Sequence, residues 1–373
     1  MAVQRLWLAQ FRNYQQADVT FAPILNLLIG ANGQGKTNLI ESLYTLSTGH
    51  GFRAAKDKEL ILHGAQAARL KALIQPDNSA RRLPLQLAFN GHAKRWQLNG
   101  VAYRQLQDMP DRLLAVLFTP DDLAIIKGSP EERRRFLDRE LGLISPAYDL
   151  ERRTYRRLLA QRNELLKEVR ARRAPADHLS VWDRKLAHSG AYLVAERLAF
   201  LRRLVPRARQ VHEYMAQQSG FNLTYQSSLG AGIKNEGAAD LEEVFLQALT
   251  DRQKEDIQAG STGLGPHRDD LVFYAQQEEL RAFGSQGQQR TAILALKLAE
   301  VAVITDSCGS RPILLLDDVL SELDPSRQRL LLESVISRGL QTFISSTHLD
   351  LRYDLFKNGK VFSIKEGKII PKQ

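Results

Sequence analysis

Residues Gly30-Ala31-Asn32-Gly33-Gln34-Gly35-Lys36-Thr37 combine three glycines, a lysine and a hydroxyl in the spacing of a phosphate-binding loop. Glycine at these places lets backbone N–H groups turn inward around phosphate oxygens with no side chain in the way. Lys36 would reach the β- and γ-phosphates of a nucleotide, and the Thr37 hydroxyl would ligate Mg²⁺. The apolar run Leu25-Asn26-Leu27-Leu28-Ile29 precedes the loop and Asn38-Leu39-Ile40-Glu41-Ser42-Leu43 follows it. A short buried strand therefore feeds the loop and a helix opens behind it, adding partial positive charge toward a bound phosphate. The implied chemistry is the binding of a nucleoside triphosphate.

A second constellation lies late in the chain. Ile313-Leu314-Leu315-Leu316 ends in Asp317-Asp318. An acid closing a buried strand can hold Mg²⁺ through water, as a Walker B aspartate does, which is the expectation for Asp317. Asp318 is then placed to orient or deprotonate an attacking water. Two acids can also close a strand merely to cap the next element, and the upstream loop favours the metal. Ser321-Glu322-Leu323-Asp324 before Pro325 reads by itself as a helix start. Phe283-Gly284-Ser285-Gln286-Gly287-Gln288-Gln289-Arg290 leads into an apolar helix from Thr291. It is either a second anion-facing helix start or a plain turn with a capping serine. Thr347-His348 closes the strand run Thr342-Phe343-Ile344-Ser345-Ser346. His267-Arg268-Asp269 has the letters of a kinase catalytic loop, but the Asn that motif requires is missing, so a kinase is rejected.

The rest of the chain must position these groups. With 373 residues, 43% hydrophobic and 25% charged, it has material for two or three domains, and the composition excludes collagen, low-complexity sequence and wholesale disorder. Residues 1–125 are strand-like: Leu83 to Leu87 and Arg95 to Leu98 flank the turn Asn90-Gly91, and Asn99-Gly100 makes the next turn. Residues 126–258 are helical and charged. There Leu179, Leu186, Leu193 and Phe200 recur every seven residues, a seam that wants a second helix, and residues 150–173 are its antiparallel partner. Pro206 is expected to kink or end the second helix. Residues 259–373 alternate strand and helix, which implies a parallel or mixed sheet with helices on its faces.

Charge narrows the partners. Lys plus Arg number 52 against 42 Asp plus Glu, a formal charge of +10 that favours a polyanion or an anionic membrane surface. The stretch 150–173 holds nine basic residues, Arg152, Arg153, Arg156 and Arg157 among them, against three acids. This predicts a phosphate-tracking surface, whereas the ordinary reading is a solvated helix face. With no helix-turn-helix and no zinc finger, base-specific readout is not expected, and a nucleic acid on this surface would be held by its backbone. Cys308 is the single cysteine, which excludes an intramolecular disulfide and a cysteine zinc site and fits a reducing compartment. No apolar run approaches the ~20 residues of a membrane span, and the N-terminus lacks a signal-peptide pattern. A cytoplasmic protein without a membrane is the expectation.

Taken in order, Lys36, the Ser285 loop, Asp317-Asp318, Asp324 and His348 resemble the ATPase heads of the ABC superfamily. The resemblance implies an α/β fold: an ABC-type P-loop ATPase head with a β-hairpin lobe and an inserted, helical, short coiled-coil-like domain. It further implies that Ser285-Gln286-Gly287-Gln288 of one subunit caps the ATP of another. Asp324 would be the D-loop at the dimer seam, and His348 the switch histidine near the γ-phosphate. Over essentially its whole length the chain resembles the bacterial RecF family of recombination and gap-repair proteins, within the SMC/Rad50-like group. The carrying segments include Phe11-Arg12-Asn13-Tyr14, Lys56-Asp57-Lys58-Glu59-Leu60-Ile61, Lys127-Gly128-Ser129-Pro130 and Gly265-Pro266-His267-Arg268-Asp269-Asp270-Leu271. Membership implies an ATP-dependent homodimer on double-stranded DNA beside single-strand gaps, weak ATP hydrolysis as a release switch, and work with RecR and RecO in loading RecA. Two departures stand out: the second acid is Asp318 where many relatives carry Glu, and 118–122 hold no Q-loop glutamine. Two alternatives share the head chemistry. A transporter's nucleotide-binding subunit lacks the basic helical insert. A long SMC-type clamp needs more arm than legs of roughly 24 residues, about 36 Å, can supply.

Overall fold

A computed structural model describes residues 1–77, 79–230, 233, 237–347 and 359–372. The chain divides into two compact units, Met1–Asp122 with Lys297–Gln373, and Leu123–Leu296.

In the first unit, period-two burial builds an antiparallel sheet. Its first strands, β1 (Ala2–Phe11) and β2 (Tyr14–Thr20), form a hairpin with Arg12 and Asn13 at the tip. After β3 (Leu25–Ile29) and α1 (Lys36–Thr48) come β4 (Ala68–Gln75), β5 (Leu83–Phe89), β6 (Lys94–Leu98), β7 (Val101–Tyr103) and β8 (Ala115–Phe118). The sheet order is β2-β1-β4-β5-β6-β7. Leu70, Ala72, Leu85, Leu87 and Trp96 turn to the core, while their neighbours along each strand face solvent. Asn99 and Gly100, at φ 50° and 82°, make the two-residue turn expected between β6 and β7.

The second unit follows the apolar seam. It holds α2 (Ala124–Lys127), α3 (Pro130–Ile144), α4 (Pro146–Arg170), α5 (Leu179–Ala216), β9 (Asn222–Gln226), α6 (Ala238–Asp251), α7 (Gln253–Ala259), β10 (Asp270–Ala275) and β11 (Glu278–Glu279). Pro146 opens α4, and the Ser145 hydroxyl caps it by accepting from the Tyr148 N–H. Tyr148 meets Arg197 and Arg162 meets Asp183, so α4 and α5 run antiparallel. Leu179, Leu186, Leu193 and Phe200 are all buried, as the seven-residue repeat requires. The helix does not end at Pro206. It continues to Ala216, because buried Leu204 and Ala208 hold it to the core on both sides of the proline. At 25 and 38 residues, α4 and α5 make a short arm.

Helix α8 (Gln286–Cys308) crosses the division, and the chain then completes the first unit. There β12 (Ile313–Asp317), α9 (Pro325–Ser337), β13 (Thr342–Ser346), β14 (Lys360–Lys365) and β15 (Lys368–Lys372) complete a mixed sheet of order β15-β14-β3-β13-β12-β8. Five of its strands run parallel and β15 closes one edge antiparallel. Burial on both faces explains the unbroken apolar run Ile313-Leu314-Leu315-Leu316. Among the described residues no helix is long and apolar enough to cross a membrane.

Candidate functional site

The phosphate loop links β3 to α1, and its glycines answer to measurable crowding. A Cβ on Gly30 would stand 2.3 Å from the Ile364 carbonyl oxygen. One on Gly35, at φ 117°, would stand 2.8 Å from the Asn13 amide nitrogen. Gly33, at φ 78°, has nothing within 4 Å, so the loop is open there. Neighbouring turns hold its outer side. The Gln34 carbonyl accepts from the Gly367 N–H at 3.0 Å and from the Asn13 side chain at 3.2 Å. The Tyr14 hydroxyl donates to the Gly35 carbonyl at 2.9 Å. On the inner side, the Lys36 ammonium donates to the carbonyls of Gly30 and Ala31 at 2.6 and 2.9 Å. Burial lowers the Lys36 pKa, and the charges of Asp318 and Asp317 oppose that shift.

The strand-end acids meet this loop. Asp317 ends β12, and one of its carboxylate oxygens accepts from the Thr37 hydroxyl at 2.9 Å and the Ser345 hydroxyl at 2.7 Å. Burial raises the Asp317 pKa, against the hydrogen bonds from Ser345 and Thr37. Asp318 sits in the left-handed region at φ 55°, and its N–H donates to the Ser345 hydroxyl at 2.9 Å. Its Oδ1 is buried and, among the described residues, has no hydrogen-bond partner. A cavity of about 320 Å³ is lined by Gly33, Lys36, Thr37, Arg53, Pro120, Asp317, Asp318 and Ser345 among others. An orphaned carboxylate oxygen, a buried ammonium and an open glycine backbone fit a magnesium nucleotide.

Sequence reasoning passes over Arg53 and Ser345. Arg53 is positioned through its backbone N–H, which donates to Glu41 at 3.0 Å, and Glu41 is itself clamped by Arg12 at 2.7 Å. Nothing local marks Arg53. Ser345 could be found only from the parallel pairing of β13 with β12.

The other predicted site residues lie elsewhere. Ser285 and Gln288 form a reciprocal cap: the Ser285 N–H donates to the Gln288 side chain at 2.8 Å, and the Gln288 N–H to the Ser285 hydroxyl at 3.3 Å. Gln286 and Gly287 begin α8 between them. All four residues belong to the second unit, whereas Lys36, Thr37, Asp317 and Asp318 belong to the first. Asp324 caps α9. It accepts from the Arg327 N–H at 3.1 Å and from its guanidinium at 2.8 Å, and these contacts hold its pKa down. His348 lies outside the described residues.

The basic run on α4 is more paired than its composition suggests. Arg152 and Arg153 share Asp149, which stands one position before the counted stretch, at 2.5 and 2.8 Å. The Arg156 side chain is 64% exposed and lies 3.8 Å from Asp138. Arg157 is exposed and, among the described residues, reaches the Thr154 hydroxyl alone, at 3.4 Å. Arg162 is fully buried between Asp183 at 2.6 Å and Asp256 at 2.8 Å.

Comparison with known proteins agrees with this architecture. The family described as RecF/RecN/SMC N terminal domain matches residues 2–369. The DNA replication and repair protein RecF of Halalkalibacterium halodurans is 38% identical over 371 residues, 99% of each chain. RecF of Heliobacterium modesticaldum is 42% identical over 94% of this chain and 93% of its own. A solved structure of the recombination mediator protein RecF with ATP, of the RecFOR pathway, superposes with a TM-score of 0.88 at 30% identity. It covers 100% of this chain and 97% of the other. An SMC head bound to the C-winged helix domain of ScpA covers 100% of this chain and 98% of that one, with a TM-score of 0.55 at 14% identity, a likeness of fold alone. The full-length relatives are named as DNA replication and repair proteins, which sets the transporter-subunit alternative aside. With a family match over nearly the whole chain and full-length relatives well above 30% identity, the chain belongs to the RecF family of DNA replication and repair proteins.

Proposed function

We propose that this protein is an ATP-dependent DNA-binding protein of recombinational repair, in which nucleotide joins two copies head to head. The carrying observation is the hydrogen bond between Thr37 and Asp317, beside the buried ammonium of Lys36 and the orphaned oxygen of Asp318. In this reading residues 30–37 hold the phosphates of ATP, with Lys36 at the β- and γ-phosphates. Thr37 and Asp317 hold Mg²⁺, which when bound offsets the triphosphate's charge. Asp318 orients or deprotonates water, and His348 is assigned the role of switch histidine for the γ-phosphate. Ser285, Gln286, Gly287 and Gln288 of a second copy complete the site, and Asp324 lies along the seam. ATP closes the pair only by binding the joined state better than the separate one, and weak hydrolysis releases it.

The DNA contact is assigned to the helical arm, residues 126–258, through the exposed Arg153, Arg156 and Arg157, with the less exposed Arg152 beside them. The ligand is duplex DNA next to single-strand gaps. RecO and RecR are the proposed protein partners, because the similar solved RecF belongs to the RecFOR pathway. The test measures binding to a labelled gapped duplex with and without Mg²⁺-ATP, for the native chain and for Ser285→Arg. The expected result is ATP-dependent binding and dimerisation in the native chain. Ser285→Arg should keep ATP binding and lose both. Equal DNA binding in all arms, or normal ATP-driven dimerisation of Ser285→Arg, overturns the reading.

A further inference from the structure

The outer face of the antiparallel sheet carries a groove that the nucleotide site does not use. Strand register sets Ala9, Arg69, Ala88 and Arg95 in one row across β1, β4, β5 and β6. The next row is Trp7, Lys71, Gln86 and Gln97. The groove they line has a volume of about 700 Å³. Its floor carries the apolar groups of Trp7, Ala9, Ala17 and Ala88 beside the amides of Gln86 and Gln97, with Arg5 over the Trp7 ring at 4.6 Å. Its rim is basic: Arg69, Lys71 and Arg95 are all exposed. Lys71 stands over the Trp7 ring at 5.2 Å, while Arg69 and Arg95 have no hydrogen-bond or ion-pair partner among the described residues. Among the described residues Asp18 is the one acid lining the groove, and Arg5 holds it at 2.6 Å. The face therefore offers an apolar floor and uncompensated positive charge together, the pairing of an interface core with its charged rim.

We propose that this groove docks an acidic helical segment of a partner protein, with carboxylates over Arg69 and Arg95 and an apolar side chain over Ala88 between them. One intervening strand separates the two arginines, a span of roughly 10 Å. About seven residues of α-helix cover that distance, so acids at i and i+7 with an apolar residue at i+4 lie along one stripe. A DNA backbone is the poorer occupant. Its phosphates gain from the cations but nothing from the alanine floor, and a duplex tracks a longer run of cations than this face provides.

The experiment is fluorescence anisotropy on the full chain. The probe is a labelled alanine-based helical peptide with Glu at i and i+7 and Leu at i+4. A peptide with Gln for both Glu is the control, and a short DNA duplex is a second probe. The acidic peptide is expected to bind and the Gln peptide not. Arg69→Thr with Arg95→Thr should weaken the acidic peptide by about tenfold, more at low salt than at high. Arg69→Lys with Arg95→Lys should keep most of the binding. Ala88→Gln fills the floor without changing charge and should also weaken it several-fold. Unchanged melting temperature and unchanged ATP binding show that a variant is folded; if the Thr pair misfolds, Ala88→Gln and the Lys pair carry the test. Equal binding of both peptides overturns the proposal. So does a Thr pair that loses the duplex while holding the acidic peptide as the native chain does.

Discussion

The hydroxyl of Thr37 donates to the carboxylate of Asp317 at 2.9 Å, tying the first turn of α1 to the end of β12. Each residue thereby gives the other a hydrogen-bond partner. Ser345 adds a second donor to the same oxygen, so the Asp317 carboxylate is held from α1 and β13 together.

Removing this carboxylate charge separates stability from ligand response. Burial raises the Asp317 pKa, so the folded state takes up this proton more readily than the unfolded chain. This carboxylate's contribution to stability is therefore less favourable above the raised pKa and improves as pH falls through it. Asp317→Asn, whose carbonyl can still accept from Thr37 and Ser345, should raise the melting temperature of the ligand-free protein at neutral pH by a few degrees. The same variant should lose the further rise that Mg²⁺-ATP gives the native chain. Differential scanning fluorimetry with and without Mg²⁺-ATP checks both halves.

Lys36→Met should leave the fold intact and weaken ATP binding by on the order of a hundredfold, since a charge-assisted phosphate contact is worth up to about 3 kcal/mol. Titration with a fluorescent ATP analogue measures it. Near-native affinity would place the phosphates elsewhere.

His267 predicts an acid-side stability loss. Its Nδ1 faces the Tyr155 hydroxyl at 2.7 Å and its Nε2 faces the Thr262 carbonyl at 3.2 Å, the pattern of a neutral ring. Burial, the largest cause, pushes its pKa down from 6.5 to about 4. A group depressed in this way stabilises the fold above its unfolded pKa, and that stability is lost as pH falls from 6.5 toward 4. The full effect is roughly 3 kcal/mol. Denaturant unfolding across this range should show a proton-uptake slope that His267→Gln removes.

Arg162 is the charge the arm cannot spare. Arg162→Met leaves Asp183 and Asp256 buried with their shared cation gone, and should cost about 3–5 kcal/mol. Adding Asp183→Asn should recover part of that loss. Urea midpoints of the single and double variants measure the coupling.

The phosphate loop could be read from sequence because its glycines are required by local crowding, and local requirements leave local patterns. The strand-end acids were readable for a similar reason, since a doubly buried strand must be apolar until it ends. Arg53 and Ser345 were not readable, because their place depends on which strands and turns lie side by side. The charged arm misled in a different way. Composition counts Arg162 with the exposed arginines, but only the packing of α4 against α5 and α7 decides that it is buried and paired. Pro206 likewise reads as a kink or an end, and the helix is seen to continue past it only once the buried residues around it are known.

The phosphate loop does not own its shape. Its outer wall is cast against two turns remote in sequence, the Arg12-Asn13 tip and the Glu366-Gly367 reversal, where a Cβ on Gly367 would stand 2.5 Å from the Asn13 carbonyl oxygen. Neither Asn13 nor Gly367 lines the cavity. A genetic screen that ranks variants by distance from the nucleotide would pass over both. A biochemist given either variant blind would report a damaged ATP site and look for the lesion in the wrong place.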